Sequence, residues 1–151
     1  MAHRPQTGAF VQSLGSSALD ASTLLIPLVR YVHPTDPRVK ATVERIAAEL
    51  TQDGLVYRYR GTDDGLASGE AAFLICSFWL VDNLAVTGQV DRGRVLFERL
   101  LSYANDVGLF AEQLDPTSGE QLGNFPQAFS HMGLINSAIQ LQRGSAPSMV
   151  I

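Results

Sequence analysis

Two kinds of helix-forming segment alternate along this chain, and few folds accommodate such an order. Residues 19–32 and 70–87 are apolar nearly all round, and 126–142 is expected to be a third largely buried helix, whereas 37–50 and 92–104 each have one apolar and one charged face. A helix that is apolar on every side is buried between neighbours, and an amphipathic helix keeps one face in water. The sequence therefore predicts an all-α fold of about five helices in alternating inner and outer layers.

Local signals define where these helices begin. Ser17 and Asp20 have the spacing of a capping box before the first helix, and Pro27 predicts a kink inside it. Asp36 and Pro37 are a typical N-cap and first-turn pair for the second helix.

The connecting loops alternate in length as well. The links at 33–36 and 88–91 are short, whereas 51–69 and 105–125 are long. If neighbouring helices are antiparallel, both long loops lie on one rim, beside the N-termini of the inner helices. Long loops in a compact domain are usually functional. We therefore expect a helical toroid with its site on that rim. Within the first long loop, residues 55–59 have strand-like composition but are too few for a sheet.

Charge and cysteine content exclude several classes of protein. A chain of 151 residues fits one domain, here with a helical core at 16–143 and flexible ends at 1–9 and 145–151. The net charge of −4 and the absence of a Lys/Arg run exclude nucleic-acid and membrane-surface binding and leave neutral or cationic small partners. The single cysteine, Cys76, excludes an internal disulfide. No stretch resembles a signal peptide or a membrane span, so we expect a cytoplasmic protein.

The long loops contain the candidate site residues. Glu112 is flanked by Phe110, Ala111 and Leu114, so its carboxylate could act as an acid or base against apolar walls, or be an ordinary surface glutamate. Arg58 and Arg60 alternate with tyrosines, a composition that suits a polyhydroxylated ligand and suits a surface hairpin equally well.

Polar residues in the apolar helices have two readings. Glu70, at the first turn of the most apolar helix, is either a capping acid or a ligand contact. Asp82 is either a satisfied buried acid or a tie between helices. The remaining residues of interest read as structural, and no metal or other cofactor is implied: Phe78, Trp79, Cys76, His33 and His131.

Four segments resemble the C-terminal part of glycoside hydrolase family 15, the bacterial glucoamylase and trehalase-like enzymes. They are GSSALDASTLLIPLV, DGLVYRY, FLICSFWLVD and, most specifically, GLFAEQLDPTSGEQLGNFPQAFSHMGLINSA. The resemblance covers 10–143. It implies an (α/α)6 barrel and metal-free inverting hydrolysis of α-glucosidic bonds.

The same resemblance implies roles for particular residues. The glutamate of the A-E-Q stretch is the family's general base, and here it is Glu112, with Gln113 close to the catalytic water. The arginine of the R-Y segment binds sugar in the cleavage subsite. Arg58 fits that position best, and Arg60 is the alternative.

The sequence also departs from the family pattern. An inverting glycosidase needs two carboxyl groups, and the family's general acid lies in a tryptophan-glutamate motif. Trp79 is the only tryptophan here and has no adjacent acid. A complete barrel has twelve helices, so the chain looks like the closing half of a catalytic domain and is expected to be inactive alone.

Two further hypotheses accompany the hydrolase reading. The chain could be a noncatalytic helical module that binds sugar or a partner protein. It could also associate with itself, or with a missing N-terminal half, because half a toroid leaves inner helices uncovered. The large side chains expected to be partly exposed are Phe73, Phe78, Trp79, Phe129 and Ile135.

Overall fold

The computed structural model describes residues 2–4, 8–60 and 71–144, and the predicted flexible tail at 145–151 lies outside them. Helix α1 (Leu25–Leu28) follows a 3-10 turn at Ala21–Leu24, and the other helices are α2 (Pro37–Glu49), α3 (Leu74–Val86), α4 (Val90–Leu101) and α5 (Ala128–Gly144). The short strands are β1 (Ala2–Arg4), β2 (Ala9–Val11), β3 (Thr51–Gln52), β4 (Leu55–Val56), β5 (Ala72–Phe73), β6 (Gln113–Leu114) and β7 (Gln121–Leu122). Among these residues no helix is both long and apolar enough to cross a membrane.

The predicted alternation of layers is confirmed for α2, α3 and α4, whereas α5, predicted to be largely buried, is buried along one face only. Helix α3 is central: ten of its thirteen residues are buried, and it packs on α2, α4 and α5. The outer helices are buried along one face only, through Val39, Val43 and Ile46 in α2 and through Gly93 and Leu100 in α4. The apolar face of the 92–104 segment is buried only in part, since Val95 is 70% and Leu101 is 42% exposed.

The first predicted helix is much shorter than 19–32. Asp20 caps the 3-10 turn by accepting a hydrogen bond from Ser22 N (2.7 Å), so the cap is Asp20 and not Ser17. Pro27 has no N–H to continue the helical ladder. The helix then ends in a Schellman motif: Arg30 adopts φ +60°, and Tyr31 N donates to Ile26 O (3.0 Å).

The strands form three small antiparallel sheets. β1 pairs with β2, a hairpin that the sequence analysis did not anticipate, and β3 pairs with β4 within the first long loop. The third sheet has the order β5-β6-β7 and joins the entrance of α3 to the second long loop. The helices remain the core, and the sheets position loop residues at their ends.

The described parts of the two long loops, 51–60 and 105–125, lie on one rim, as predicted. Ala21 N donates to Arg58 O (2.8 Å), and Leu74 N donates to Glu112 O (3.1 Å). Ser130 Oγ donates to Ala111 O (2.7 Å). Each of these bonds links a long loop to the N-terminal end of an inner segment, so the two loops meet beside the starts of the 3-10 turn, α3 and α5.

A close approach between α3 and α5 fixes this arrangement. Gly133 faces Phe78 so closely that a Cβ at position 133 would lie 2.9 Å from Phe78 Cβ. The helix interface is also polar at one point, where Ser137 Oγ lies 2.6 Å from Asp82 Oδ1 and 3.1 Å from Phe78 O. Asp82 is buried, and burial raises its pKa to about 6. Asp82 is therefore a satisfied buried acid and also a tie between two helices, so both interpretations from the sequence apply.

Asp82 should make the chain less stable as the pH rises from about 4 to about 6. Its pKa is raised from 3.8, so the folded chain binds a proton more readily than the unfolded chain across this window. A shift of two units corresponds to about 3 kcal/mol. Urea unfolding at pH 4 and pH 7 should show Asp82→Asn gaining about that much relative to the parent at the higher pH.

The Ser137→Ala variant provides the matched comparison. The Ser137 hydrogen bond lowers the pKa of Asp82, so its loss should move the window upward. A stability difference between Asp82→Asn and the parent that does not change with pH would contradict this assignment.

Candidate functional site

The backbone of Glu112 is hydrogen-bonded on both sides. Its N–H donates to Asn124 O (2.9 Å), and its carbonyl accepts from Leu74 N (3.1 Å). The preceding Ala111 donates to Gln121 Oε1 (2.8 Å) and accepts from Ser130 Oγ (2.7 Å). All four backbone polar groups of these two residues are therefore bonded, and the position of Glu112 is set by α3, α5, β7 and the turn after β7 together.

One oxygen of the Glu112 carboxylate is also fixed. Asn124 donates to Oε2 twice, from Nδ2 (2.9 Å) and from its backbone N (3.2 Å). Gly123 lies against the same oxygen: its φ is +75°, and a Cβ there would be 2.9 Å from Oε2. The side chain is half-buried, at the rim where the long loops meet.

A methyl group at position 123 should disturb Glu112 specifically. Gly119, in the same loop, also has a positive φ (+73°), but a Cβ there would meet nothing within 4 Å. Both Gly119→Ala and Gly123→Ala incur the left-handed backbone penalty, about 1–2 kcal/mol. Gly123→Ala adds an overpacking cost of about 1–3 kcal/mol, which urea unfolding would measure as the difference between the two variants. Equal costs would show that Glu112 is not confined by Gly123.

Gln113 is the first residue of β6, directly after Glu112. It pairs with Phe73 in β5 and Leu122 in β7, so it occupies the middle strand of the three-stranded sheet. Its side chain is half-buried. The sheet thus keeps Gln113 beside Glu112 at the entrance of α3.

Arg58 lies at the same end of α3. Its Nε donates to Asp20 Oδ1 (2.8 Å), and this hydrogen bond raises the pKa of the guanidinium group. The charges of Arg58 and Asp20 both act on the thiol of Cys76, in the first turn of α3. Because Leu74 in that turn also binds the Glu112 carbonyl, Arg58 and Glu112 share the rim around the start of α3.

Arg60 is directed elsewhere. Its NH2 donates to Gln52 Oε1 (3.0 Å), and its guanidinium lies 4.0 Å from the centre of the Tyr57 ring. Tyr57 also donates to Gln52, so these three side chains form one cluster on the β3–β4 hairpin. Glu70, the remaining candidate, lies outside the described residues.

The residues interpreted as structural have structural contacts. His131 Nε2 accepts from Phe110 N (3.4 Å), and its Nδ1 lies 2.8 Å from Gln127 O. Cys76 is buried, and burial raises the pKa of its thiol to about 12, which keeps it an unreactive thiol. Within 8–60 and 71–144 no group of three or more His, Cys, Asp or Glu side chains is placed to bind a metal ion.

Two residues of the site were not identified from the sequence. Asp20 binds Arg58, but the sequence predicts only a capping role for it, because an acid just before an apolar helix is a known N-terminal signal. Asn124 lies within the G-N-F-P-Q stretch, and no sequence signal assigns it a role. Its contact with Glu112 spans twelve residues and depends on the turn at Gly123, which no periodic pattern reveals.

Comparison with known proteins identifies the family. The model of glycosyl hydrolases family 15 matches residues 2–139. A trehalase from Mycobacterium tuberculosis is 55% identical over 138 residues, which are 90% of this chain and 20% of that protein. A trehalase from Thermoplasma acidophilum is 40% identical over 138 residues, 91% of this chain and 24% of that protein.

Solved structures agree with the sequence comparison. A wild-type glycosidase superposes with a TM-score of 0.74 at 26% identity, covering 89% of this chain and 39% of the other. A glycosidase variant in complex with glucose superposes with a TM-score of 0.75 at 25% identity over the same shares. The chain thus spans about a fifth of the length of the curated trehalases that it matches and forms part of a helical toroid. It belongs to glycosyl hydrolases family 15.

Proposed function

We propose that this chain supplies the general-base side of an inverting α-glucosidase site, with trehalose as the substrate that the relatives favour. The observation that carries the proposal is the environment of Glu112. Its backbone is bonded on both sides, one carboxylate oxygen is held by Asn124, and the residue lies on the rim formed by the long loops. A general base needs this kind of fixed placement, because proton transfer depends on geometry before it depends on pKa.

The proposed reaction is a single displacement. Glu112 removes a proton from a water molecule, and the water oxygen attacks the anomeric carbon of the glucosyl unit. The bond from that carbon to the bridging oxygen breaks, and the bridging oxygen takes a proton from a carboxylic acid outside this chain. The two carboxyl groups of an inverting site are about 6.5–9.5 Å apart, which leaves room for the water.

Arg58 and Gln113 are assigned to substrate binding. Arg58 uses Nε on Asp20, and the terminal nitrogens of its guanidinium group carry further N–H donors for sugar hydroxyls. Its ion pair with the buried Asp20 holds it at the start of α3, whereas Arg60 is engaged on the hairpin. The geometry therefore favours Arg58 over Arg60 as the sugar-binding arginine. Gln113 adjoins Glu112 and is assigned to the water, and Glu70 remains a candidate ligand contact.

A chimera tests the assignment of function. The segment of Mycobacterium tuberculosis trehalase that matches this chain is replaced by the corresponding 138 residues of the chain, a change supported by 55% identity. We expect the chimera to hydrolyse trehalose and the purified chain alone to release no glucose above background, because the chain lacks the proton donor. An inactive but folded chimera, or turnover by the chain alone, would contradict the proposal.

One observation favours the second candidate, a noncatalytic interaction module. Helix α5 is buried only through Ser130, Gly133, Ser137 and Leu141, and its opposite face carries a row of exposed apolar side chains. Such a row is typical of a surface that another polypeptide covers. Self-association through this face is compatible with both functions, and it is tested separately below.

A further inference from the structure

We propose that Asn124 is a positioning residue that reserves Oε1 of Glu112 for the water proton. The proposal rests on the proposed function of Glu112 and extends it from a residue to a single atom. A carboxylate has two oxygens that can act as a base, and an enzyme gains when only one of them faces the water in a fixed orientation.

The hydrogen bonds distinguish the two oxygens. Oε2 accepts from Asn124 Nδ2 (2.9 Å) and from Asn124 N (3.2 Å). Among the residues that the structure describes, Oε1 accepts no hydrogen bond. Two donors on Oε2 occupy its lone pairs, so Oε1 is the oxygen left to accept a proton from water.

A backbone hydrogen bond joins Glu112 and Asn124 in the opposite direction. Asn124 O accepts from Glu112 N (2.9 Å), so the two residues are joined by three hydrogen bonds across the loop. Gly123 lets the chain turn tightly enough for this, with φ +75° and no side chain between the turn and Oε2. Rotation of the carboxylate away from this orientation would break both hydrogen bonds to Oε2. The contact therefore sets the orientation of the carboxylate as well as its position.

Two substitutions in the chimera separate positioning from general stability. Asn124→Ala removes the Nδ2 donor, and Asn124→Asp keeps the shape but replaces the donor with a carboxylate. A hydrogen bond to a charged group corresponds to about a 10- to 100-fold change, so we expect kcat to fall by that factor in Asn124→Ala with KM changed less than about twofold. Near neutral pH, kcat should be lower in Asn124→Asp than in Asn124→Ala. In Asn124→Asp, kcat relative to the parent should rise as the pH falls, because a protonated Asp side chain donates to Oε2 again.

Asn105→Ala is the matched control. Asn105 lies in the same long loop and its side chain accepts from Val107 N and Leu109 N, but it does not bond to Glu112. Removal of the Asn105 side chain should lower the free energy of unfolding and leave kcat unchanged. Asn124 variants that behave like Asn105→Ala, with a stability loss, an unchanged kcat and no pH-dependent recovery, would overturn the positioning role.

The outcome for Glu112 itself keeps the two proposals distinguishable. If Glu112→Gln abolishes activity and the Asn124 variants do not alter kcat, only the positioning role fails. NMR on the isolated chain tests the contact without activity: an Asn124 side-chain amide proton should shift in Glu112→Ala. An Asn124 signal unaffected by Glu112→Ala overturns the proposal.

Discussion

In the chimera with Mycobacterium tuberculosis trehalase, Glu112→Gln should lower kcat by about 10²- to 10⁴-fold, the usual contribution of a positioned acid or base. Glutamine keeps the size of the side chain and an oxygen that can accept from Asn124, so the loop should keep its structure. What is lost is the ability to take a proton from water. KM for trehalose should change little, because the base acts in the transition state rather than in substrate binding.

Glu120→Gln is the control for this experiment. Glu120 is an exposed glutamate in the same loop, and its backbone carbonyl only closes the turn with Asp115 N (2.9 Å). We expect its substitution to leave kcat within about twofold. A Glu112→Gln chimera that retains more than a tenth of the parent kcat would show that another group acts as the base.

The purified chain should form dimers or larger assemblies at micromolar concentration. The exposed face of α5 carries Phe129 (61% exposed), Met132 (55%), Ile135 (58%) and Ile139 (40%). Covering about 600 Å² of such surface would contribute about 15 kcal/mol, against association costs of about 4–15 kcal/mol. The balance favours association, which sedimentation equilibrium would detect as a mass above 16.3 kDa.

A matched pair of substitutions locates the contact. Ile135→Asp places a charge in the centre of the α5 face and should return the chain to a monomer. Val95→Asp makes the same kind of change on α4, at a residue that is 70% exposed, and should leave association intact. A monomeric parent, or equal effects of the two substitutions, would show that the α5 face is not the contact.

The spacing of apolar residues predicted the layers well, because that spacing reflects which faces of a helix are buried. The segment apolar on all sides became the central helix α3, and the segment with one charged face after Asp36 and Pro37 became α2, which begins at Pro37. Helix α5, in contrast, is buried along one face only. The first helix was predicted too long because apolar composition does not reveal where a chain reverses. Arg30 in the left-handed region ends it, and that conformation depends on bonds to Ile26 and Pro27 carbonyls.

The exposed side of the toroid was predicted only in part. Phe129 and Ile135 are exposed as expected, whereas Phe78 is completely buried against Gly133, Phe97 and Phe110. Phe73 and Trp79 are half-buried. Helix phase decides such cases, and in an apolar helix like α3 the sequence contains no polar stripe that would define it.

The candidate site, too, was predicted only in part. Glu112 was found through the family motif, and the motif needed no knowledge of its surroundings. The groups that hold it could not be predicted, because Leu74 and Asn124 bond to Glu112, and Ser130 to the neighbouring Ala111, from three separate segments. Contacts of this kind follow from the packing of the toroid and not from local spacing.

The stereochemistry of trehalose hydrolysis tests the central claim, that Glu112 activates water in an inverting reaction. The chimera is mixed with trehalose, and proton NMR follows the anomeric signals of glucose in the first minutes, before mutarotation mixes them. Inversion at one of the two linked glucose units releases α-glucose and β-glucose in equal amounts. That result is expected, and its loss in Glu112→Gln should parallel the loss of kcat. The initial appearance of α-glucose alone would mean retention and would contradict the role assigned to Glu112.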